Sequence, residues 1–155
     1  MTGPDRAELL RRLELFDQFS DERLKALASR LEPVSAPDGA EIFKEGTEGD
    51  GLYLIVFGRV RVAKSLVGGG EKDLASLGPG DCFGEMALLD AVPRSASAYA
   101  SGQAELMRLK RDVLKTWLEA DARGAMDFFS GLVQVQSQRL RRTSSELALL
   151  YDLST

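Results

Sequence analysis

Leu9, Leu10, Leu13 and Phe16 fall at the spacing of one helix face, and beyond a Ser20–Asp21 pair the same spacing returns at Leu24, Leu27, Ala28 and Leu31. Two short helices are predicted over residues 1–32, the second capped by Ser20. From Pro33 to Arg108 the period shortens. Glycines at 39, 46, 49, 51, 58, 68, 69, 70, 78, 80, 84 and 102 separate brief apolar runs such as Leu52 to Phe57 and Val60 to Ala63. Regular turn signals between short apolar runs predict an antiparallel sandwich or roll, continued by strands at Lys72–Leu77 and Ala104–Leu109. Val113, Leu114, Trp117 and Leu118 then restore helical spacing, and Met126 to Leu153 reads as one long terminal helix whose one glycine is Gly131. The expected organisation is a single domain: helices over 1–32, a β-roll over 33–109, and helices over 110–155.

The long helix is apolar at both ends, at Phe128 to Val135 and at Leu147 to Leu153, but polar from Arg141 to Glu146. Either a solvated patch or a contact to a ligand or partner accounts for such a break.

Composition narrows the chemistry. The chain has 155 residues, 44% apolar and 28% charged, the make-up of a globular domain. Its 20 basic and 24 acidic residues leave a net charge of −4, with no basic excess to hold a nucleic-acid backbone, so no nucleic-acid partner is expected. Histidine is absent, which excludes a Ser-His-Asp triad, a Cys-His pair and any histidine-ligated metal within the chain, so neither catalysis nor a metal is expected. The one cysteine, Cys82, forms no internal disulfide and suits a reducing cytoplasm; it reads as a small buried side chain, with a redox role as the alternative. Charges near the N-terminus stand where an export signal needs an apolar run, so no export is expected. The longest uncharged stretch, Phe128 to Gln138, falls short of the roughly 18 residues a membrane-spanning helix needs, so no membrane partner is expected.

Candidate chemistry concentrates in residues 83–97. Gly78, Gly80 and Gly84 are out of step with a dinucleotide fingerprint, and no phosphate loop ending in Gly-Lys-Ser/Thr occurs. Gly84 instead enters a very short predicted helix, Glu85 to Leu89, and Arg94 follows Pro93. Free N–H groups at a helix start attract an anion, and glycine lets the backbone approach it closely. Arg94 adds paired, charge-assisted donors, Ser95 adds a hydroxyl, and a Glu85 carboxylate suits sugar hydroxyls. On spacing alone, Arg94 paired with Asp90 or Glu85 at the surface fits as well.

The run Phe83, Gly84, Glu85, Met86, Ala87, Leu88, Leu89, four further residues, then Arg94, Ser95, Ala96 and Ser97 resembles the phosphate-binding cassette of cyclic nucleotide-binding domains. Such domains occur in regulatory subunits of cyclic-AMP-dependent kinase, gated channels and the bacterial catabolite activator family. Gly39, the turn from Glu45 to Asp50, Tyr53 to Ile55, Gly58 and the Gly80–Asp81 pair fall where family members place structural glycines and strands. The resemblance implies an α+β, mainly β fold: an eight-stranded antiparallel β-roll or jelly roll with N-terminal helices, a short cassette helix and a long C-terminal helix. It also implies that Gly84, Met86 and Ala87 lie against the ligand, that Glu85 accepts from the ribose 2′-hydroxyl, and that Arg94 and Ser95 hold the phosphate.

Residues 138–146 are similar to the long helix of the catabolite activator family, in which a Thr-Ser pair reaches adenine across a dimer; Thr143 and Ser144 occupy those places and Arg139 that of an arginine near the ligand. Arg141 and Arg142 depart from the less charged residues of that family's dimer seam. The implied function is a non-catalytic receptor for cyclic AMP, with cyclic GMP second, forming a homodimer through the terminal helix and signalling through it to an unknown effector protein. A structural or oligomerisation module with a vestigial pocket is the alternative. The sequence reaches Thr155 without a DNA-binding, kinase or channel segment within it, and the chain is expected to be either a free-standing sensor or a fragment of a longer receptor.

Overall fold

The computed structural model describes residues 3–84, 87 and 93–154, with the side chains of 3–5, 139, 143, 146 and 151–154 left out of that description. The two N-terminal helices form as the spacing predicts: α1 (Gly3–Arg11), a 3-10 turn η1 (Glu14–Phe16), and α2 (Asp21–Ala28). The Ser20 hydroxyl accepts from the Arg23 amide at 3.3 Å, satisfying one of the orphan donors at the start of α2.

Six strands follow: β1 (Glu32–Ala36), β2 (Glu41–Phe43), β3 (Gly51–Ser65), β4 (Glu71–Leu77), β5 (Cys82–Phe83) and β6 (Ser97–Lys110). All pairings are antiparallel, in the order β1-β6-β3-β4, with β2 also on β6 and β5 on β3. The count is thus six among the described residues rather than eight. The runs Leu52 to Phe57 and Val60 to Ala63, which read as separate strands, are one: Gly58 adopts φ +86°, the register against β6 shifts on both sides of Phe57, and the ribbon bends without breaking. A side chain at Gly58 would collide with the carbonyl of Gln103 on β6, so glycine serves both the bend and the close approach.

The apolar run in β3 is buried on both faces because the sheet has a core on each side. Leu52 and Leu54, with Met107 and Leu109 of β6, pack outward against Leu10, Phe16, Leu24 and Leu27. Their alternates Tyr53, Ile55 and Leu106 face the roll interior with Val60, Phe83, Ala98 and Ala100.

The C-terminal helices are α3 (Arg111–Ala120) and α4 (Ala122–Ser154). Helix α4 begins four residues ahead of the predicted Met126 start, because Asp121 in the link accepts from the Gly124 amide at 3.0 Å and anchors its first turn. Arg23 of α2 reaches the same link, donating to Asp121 at 2.7 Å and to Asp127 at 3.3 Å. Phe128 and Leu132 carry α4 into the helical core, where Gly131 lies so close to the carbonyl of Leu15 that no side chain fits between them. None of the described helices is long and apolar enough to cross a membrane.

Candidate functional site

A cavity of about 1170 Å³ lies between the roll and the helices. Phe43, Phe83, Gly84, Ala87, Arg94 and Ser95 line its roll side, while Leu13, Glu14, Val135, Gln138 and Arg142 close it from η1 and α4. It is roomy for a small-molecule site, which commonly spans roughly 300–1000 Å³.

Arg94 organises the roll side. Its side chain is only 5% exposed. Nη2 donates to the carbonyl of Gly51 at 2.9 Å and Nη1 to that of Gly84 at 3.2 Å, while Asp50 Oδ1 stands 3.5 Å from Nη2. The backbone holds the residue as firmly: the Arg94 amide donates to Thr47 at 2.7 Å, and the Gly46 amide donates to Arg94 at 2.8 Å. Burial pulls the guanidinium below its ordinary pKa, an effect opposed by Tyr53 and Asp50 and reinforced by nearby Arg111. Arginine stays charged through such shifts, so this is a buried cation with only a partial counter-charge. Its Nε is buried and without a hydrogen-bond partner, an unsatisfied donor that costs about 1–3 kcal/mol until an acceptor arrives.

Gly84 (φ +80°) is the second element of this wall: a Cβ there would sit 2.5 Å from Arg94 Nη1, so a side chain would displace the guanidinium. Ala87 is buried beside it. Arg111, at the start of α3, steadies the loop beneath, donating to the carbonyl of Gly49 at 2.6 Å and to that of Ala87 at 3.3 Å. A buried cation, a glycine that exposes backbone and an apolar floor fit a compact anion carried on a partly apolar body.

Among the expected site residues, the structure brings together Gly84, Ala87, Arg94 and Ser95, the last exposed on the cavity wall. Glu85 and Met86 lie outside the described residues, as does the predicted short helix Glu85–Leu89 apart from Ala87. Arg94 takes Asp50 as its ion-pair partner, an acid that sequence spacing does not single out; Glu85 and Asp90 are not among the described residues. Arg139 and Thr143 stand on α4 with side chains outside the description, and Ser144 is exposed and absent from the described wall of this cavity. Cys82, expected buried, is half-buried on the wall.

Sequence reasoning misses Phe43, whose ring lies under the Arg94 guanidinium, together with Asp50, Arg111 and Glu14. The turn from Glu45 to Asp50 is the one signal that reaches part of this set. Among the described residues no group of three Cys, Asp or Glu side chains gathers to hold a metal ion.

The family model for the cyclic nucleotide-binding domain matches residues 33–121. A CRP-like cAMP-activated global transcriptional regulator of Mycobacterium tuberculosis is 36% identical over 141 residues, covering 91% of this chain and 61% of the regulator. A crystal structure of the catabolite activator protein of Thermus thermophilus superposes with a TM-score of 0.77 at 37% identity, covering 88% of this chain and 62% of that one. A cyclic nucleotide-binding domain from Methylobacillus flagellatus gives 0.79 at 30% identity, covering 92% and 84%. The chain thus spans about three-fifths of the length of the curated regulators it matches. It belongs to the cyclic nucleotide-binding domain family.

Proposed function

We propose that this member of the cyclic nucleotide-binding family is a receptor unit that binds cyclic AMP, with cyclic GMP as the weaker ligand, and reports occupancy through α4 to an effector protein without catalysing a reaction. The observation that carries this reading is Arg94: buried, only partly neutralised and with Nε unsatisfied, beside a glycine that bares its backbone to the cavity. A cyclic phosphate supplies both the charge and the acceptor. That the Mycobacterium relative is a regulator named as cAMP-activated supports the choice of nucleotide.

In this reading Gly84 and Ala87 lie against the cyclic phosphate, Arg94 and Ser95 hold its oxygens, Met86 lies against the ligand, and Glu85 accepts from the ribose 2′-hydroxyl. Arg139 stands near the ligand, and Thr143 and Ser144 meet adenine in the cavity of a second copy. That last assignment agrees with the exposure of Ser144 on α4, away from the described wall of its own cavity. A second copy has a place to dock. Met126, Val133, Leu140 and Leu147 are exposed and recur every seven residues, the spacing of a coiled-coil seam. Because Val135, Gln138 and Arg142 of α4 close the cavity, a ligand that binds one helix position better than another shifts the helix toward that position.

Thermal melts with and without each cyclic purine nucleotide test this. A ligand at 100 times its dissociation constant adds about 2.7 kcal/mol. A rise in Tm with cyclic AMP, smaller with cyclic GMP at equal concentration, is expected. No rise with either overturns the receptor reading in favour of a structural module.

A further inference from the structure

Glu14 and Gln138 are 124 positions apart in the chain, yet the Gln138 Nε2 amide donates to Glu14 Oε1 at 2.5 Å on the helical side of the cavity. The contact is built into the fold. Gly131, with no side chain, lets α4 lie against the carbonyl of Leu15, and Phe16 packs on Phe128 with ring centroids 6.2 Å apart. Both contacts fix η1 against α4, which brings the carboxylate of η1 to the amide of α4.

This hydrogen bond does more than join two elements. A glutamine amide is nearly symmetric in shape but not in chemistry, and a carboxylate is an acceptor only. Glu14 therefore dictates which end of the Gln138 amide faces it: the NH2 group. That leaves Gln138 with one free N–H and its carbonyl oxygen, a donor and an acceptor side by side. The same pair of atoms matches the N7 acceptor and N6 amine of adenine in a bidentate contact. Guanine presents N7 and O6 there, and its O6 would face the Gln138 carbonyl, acceptor against acceptor. An amide free to turn could offer guanine both of its hydrogens; one held by Glu14 has already committed a hydrogen elsewhere.

Resting on the receptor reading above, we propose that Gln138 reads the purine base from within its own chain, with Glu14 as the positioning residue that sets the amide's orientation and so favours adenine over guanine. The role is separate from that of Thr143 and Ser144, which belong to the cavity of a second copy.

The test is competition calorimetry with cyclic AMP and cyclic GMP on the full chain, comparing wild type, Gln138→Leu and Glu14→Gln. Both side chains lie outside the hydrophobic core, and a melt of each variant without nucleotide checks that the fold is retained. A bidentate pair discriminates between bases by about fivefold to a hundredfold, and this one, near solvent, belongs toward the lower end. Gln138→Leu is expected to lower cyclic AMP affinity by about that factor while leaving cyclic GMP almost unchanged. Glu14→Gln should narrow the preference by raising cyclic GMP affinity, because the amide is then free to turn, and this is a result that mere loss of packing does not produce. A selectivity ratio unchanged from wild type in folded Gln138→Leu overturns the proposal. So does Glu14→Gln weakening both nucleotides equally. Wild type binding neither nucleotide overturns the receptor reading itself, which separates the two failures.

Discussion

The guanidinium carbon of Arg94 stands 4.0 Å from the centroid of the Phe43 ring, so one face of the buried cation rests on an aromatic surface. Stacking of this kind is worth more as water is removed, and it leaves the edge of the guanidinium free for hydrogen bonds. Phe43 also contacts Tyr53 and Phe83, with ring centroids 5.9 and 5.7 Å away, so the cation sits at the end of an aromatic cluster in the roll interior.

In the proposed site, Arg94→Ala removes the charge partner of the phosphate. Truncating one member of a buried charged pair costs on the order of 2–5 kcal/mol, which predicts loss of most cyclic AMP affinity. The roll should keep its circular dichroism, since Arg94 bonds to its neighbours through backbone as well as side chain. Affinity near wild type in a folded variant would remove the assignment of 83–97 as the phosphate site. Calorimetry measures it directly.

Gly131→Ala separates helix propensity from packing. In an exposed helix interior, replacing glycine by alanine stabilises by about 1 kcal/mol. Here the new methyl group points at the carbonyl of Leu15, so η1 and α4 must part. The expected sign is therefore reversed: destabilisation of about 1–3 kcal/mol in urea titration, as for other overpacked contacts. A stabilised variant would show that the two elements separate at no cost.

Much of this architecture was legible in the chain, and the parts that were not share a physical cause. Ser20 as a cap, an apolar strand from Leu52 and the helical face at Leu114 and Trp117 all follow from local signals. Arg94 is singled out by the resemblance of residues 83–97 to a known cassette, and the structure sets it on one cavity wall with Gly84, Ala87 and Ser95 of that stretch. Phe43, Asp50 and Arg111 are not, because they reach the site through strand pairing and loop closure over many tens of residues. The break read between Leu52 to Phe57 and Val60 to Ala63 is absent for a subtler reason. A glycine with positive φ either ends a strand or bends it, and only the partner strand decides; at Gly58, β6 continues alongside and the strand survives.

The link between α3 and α4 should respond to acid. A hydrogen bond from Arg23, aided by the backbone amide of Gly124, holds the Asp121 carboxyl below its ordinary pKa. A carboxylate depressed in the folded state stabilises the fold above its unfolded pKa, about 3.9 for aspartate, and that contribution fades as pH falls through the folded value. Asp121→Asn should therefore lower Tm at pH 7, with the gap to wild type closing as pH is taken down through 4 and below. A gap that stays constant across this range would mean that charge on Asp121 does not hold the link.

The seam on α4 yields the last expectation. Met126, Val133, Leu140 and Leu147 are exposed at intervals of seven, with Phe129 and Leu150 exposed three residues after the first and the last of them. Burying a side chain of this size contributes about 1.5–3 kcal/mol, so a few such layers suffice for association at micromolar concentration. The positions between them that complete the repeat are Gln136 and Thr143, which break the apolar stripe near its middle. Polar positions inside a seam cost stability but restrict register, and a fixed register is what Thr143 and Ser144 would need to meet a ligand held by the other copy. Replacing Leu140 and Leu147 together by glutamate should turn a dimer into a monomer in sedimentation velocity. The roll should melt almost unchanged, because neither side chain belongs to its core. On the proposed reading, Arg94 still anchors the phosphate in the monomer, so nucleotide binding should persist, but cyclic AMP should lose the part of its advantage assigned to Thr143 and Ser144 of the second copy. A wild type that sediments as a monomer at tens of micromolar would discard the seam. A monomeric variant with undiminished selectivity would keep the seam and leave discrimination between the bases to residues of the same chain.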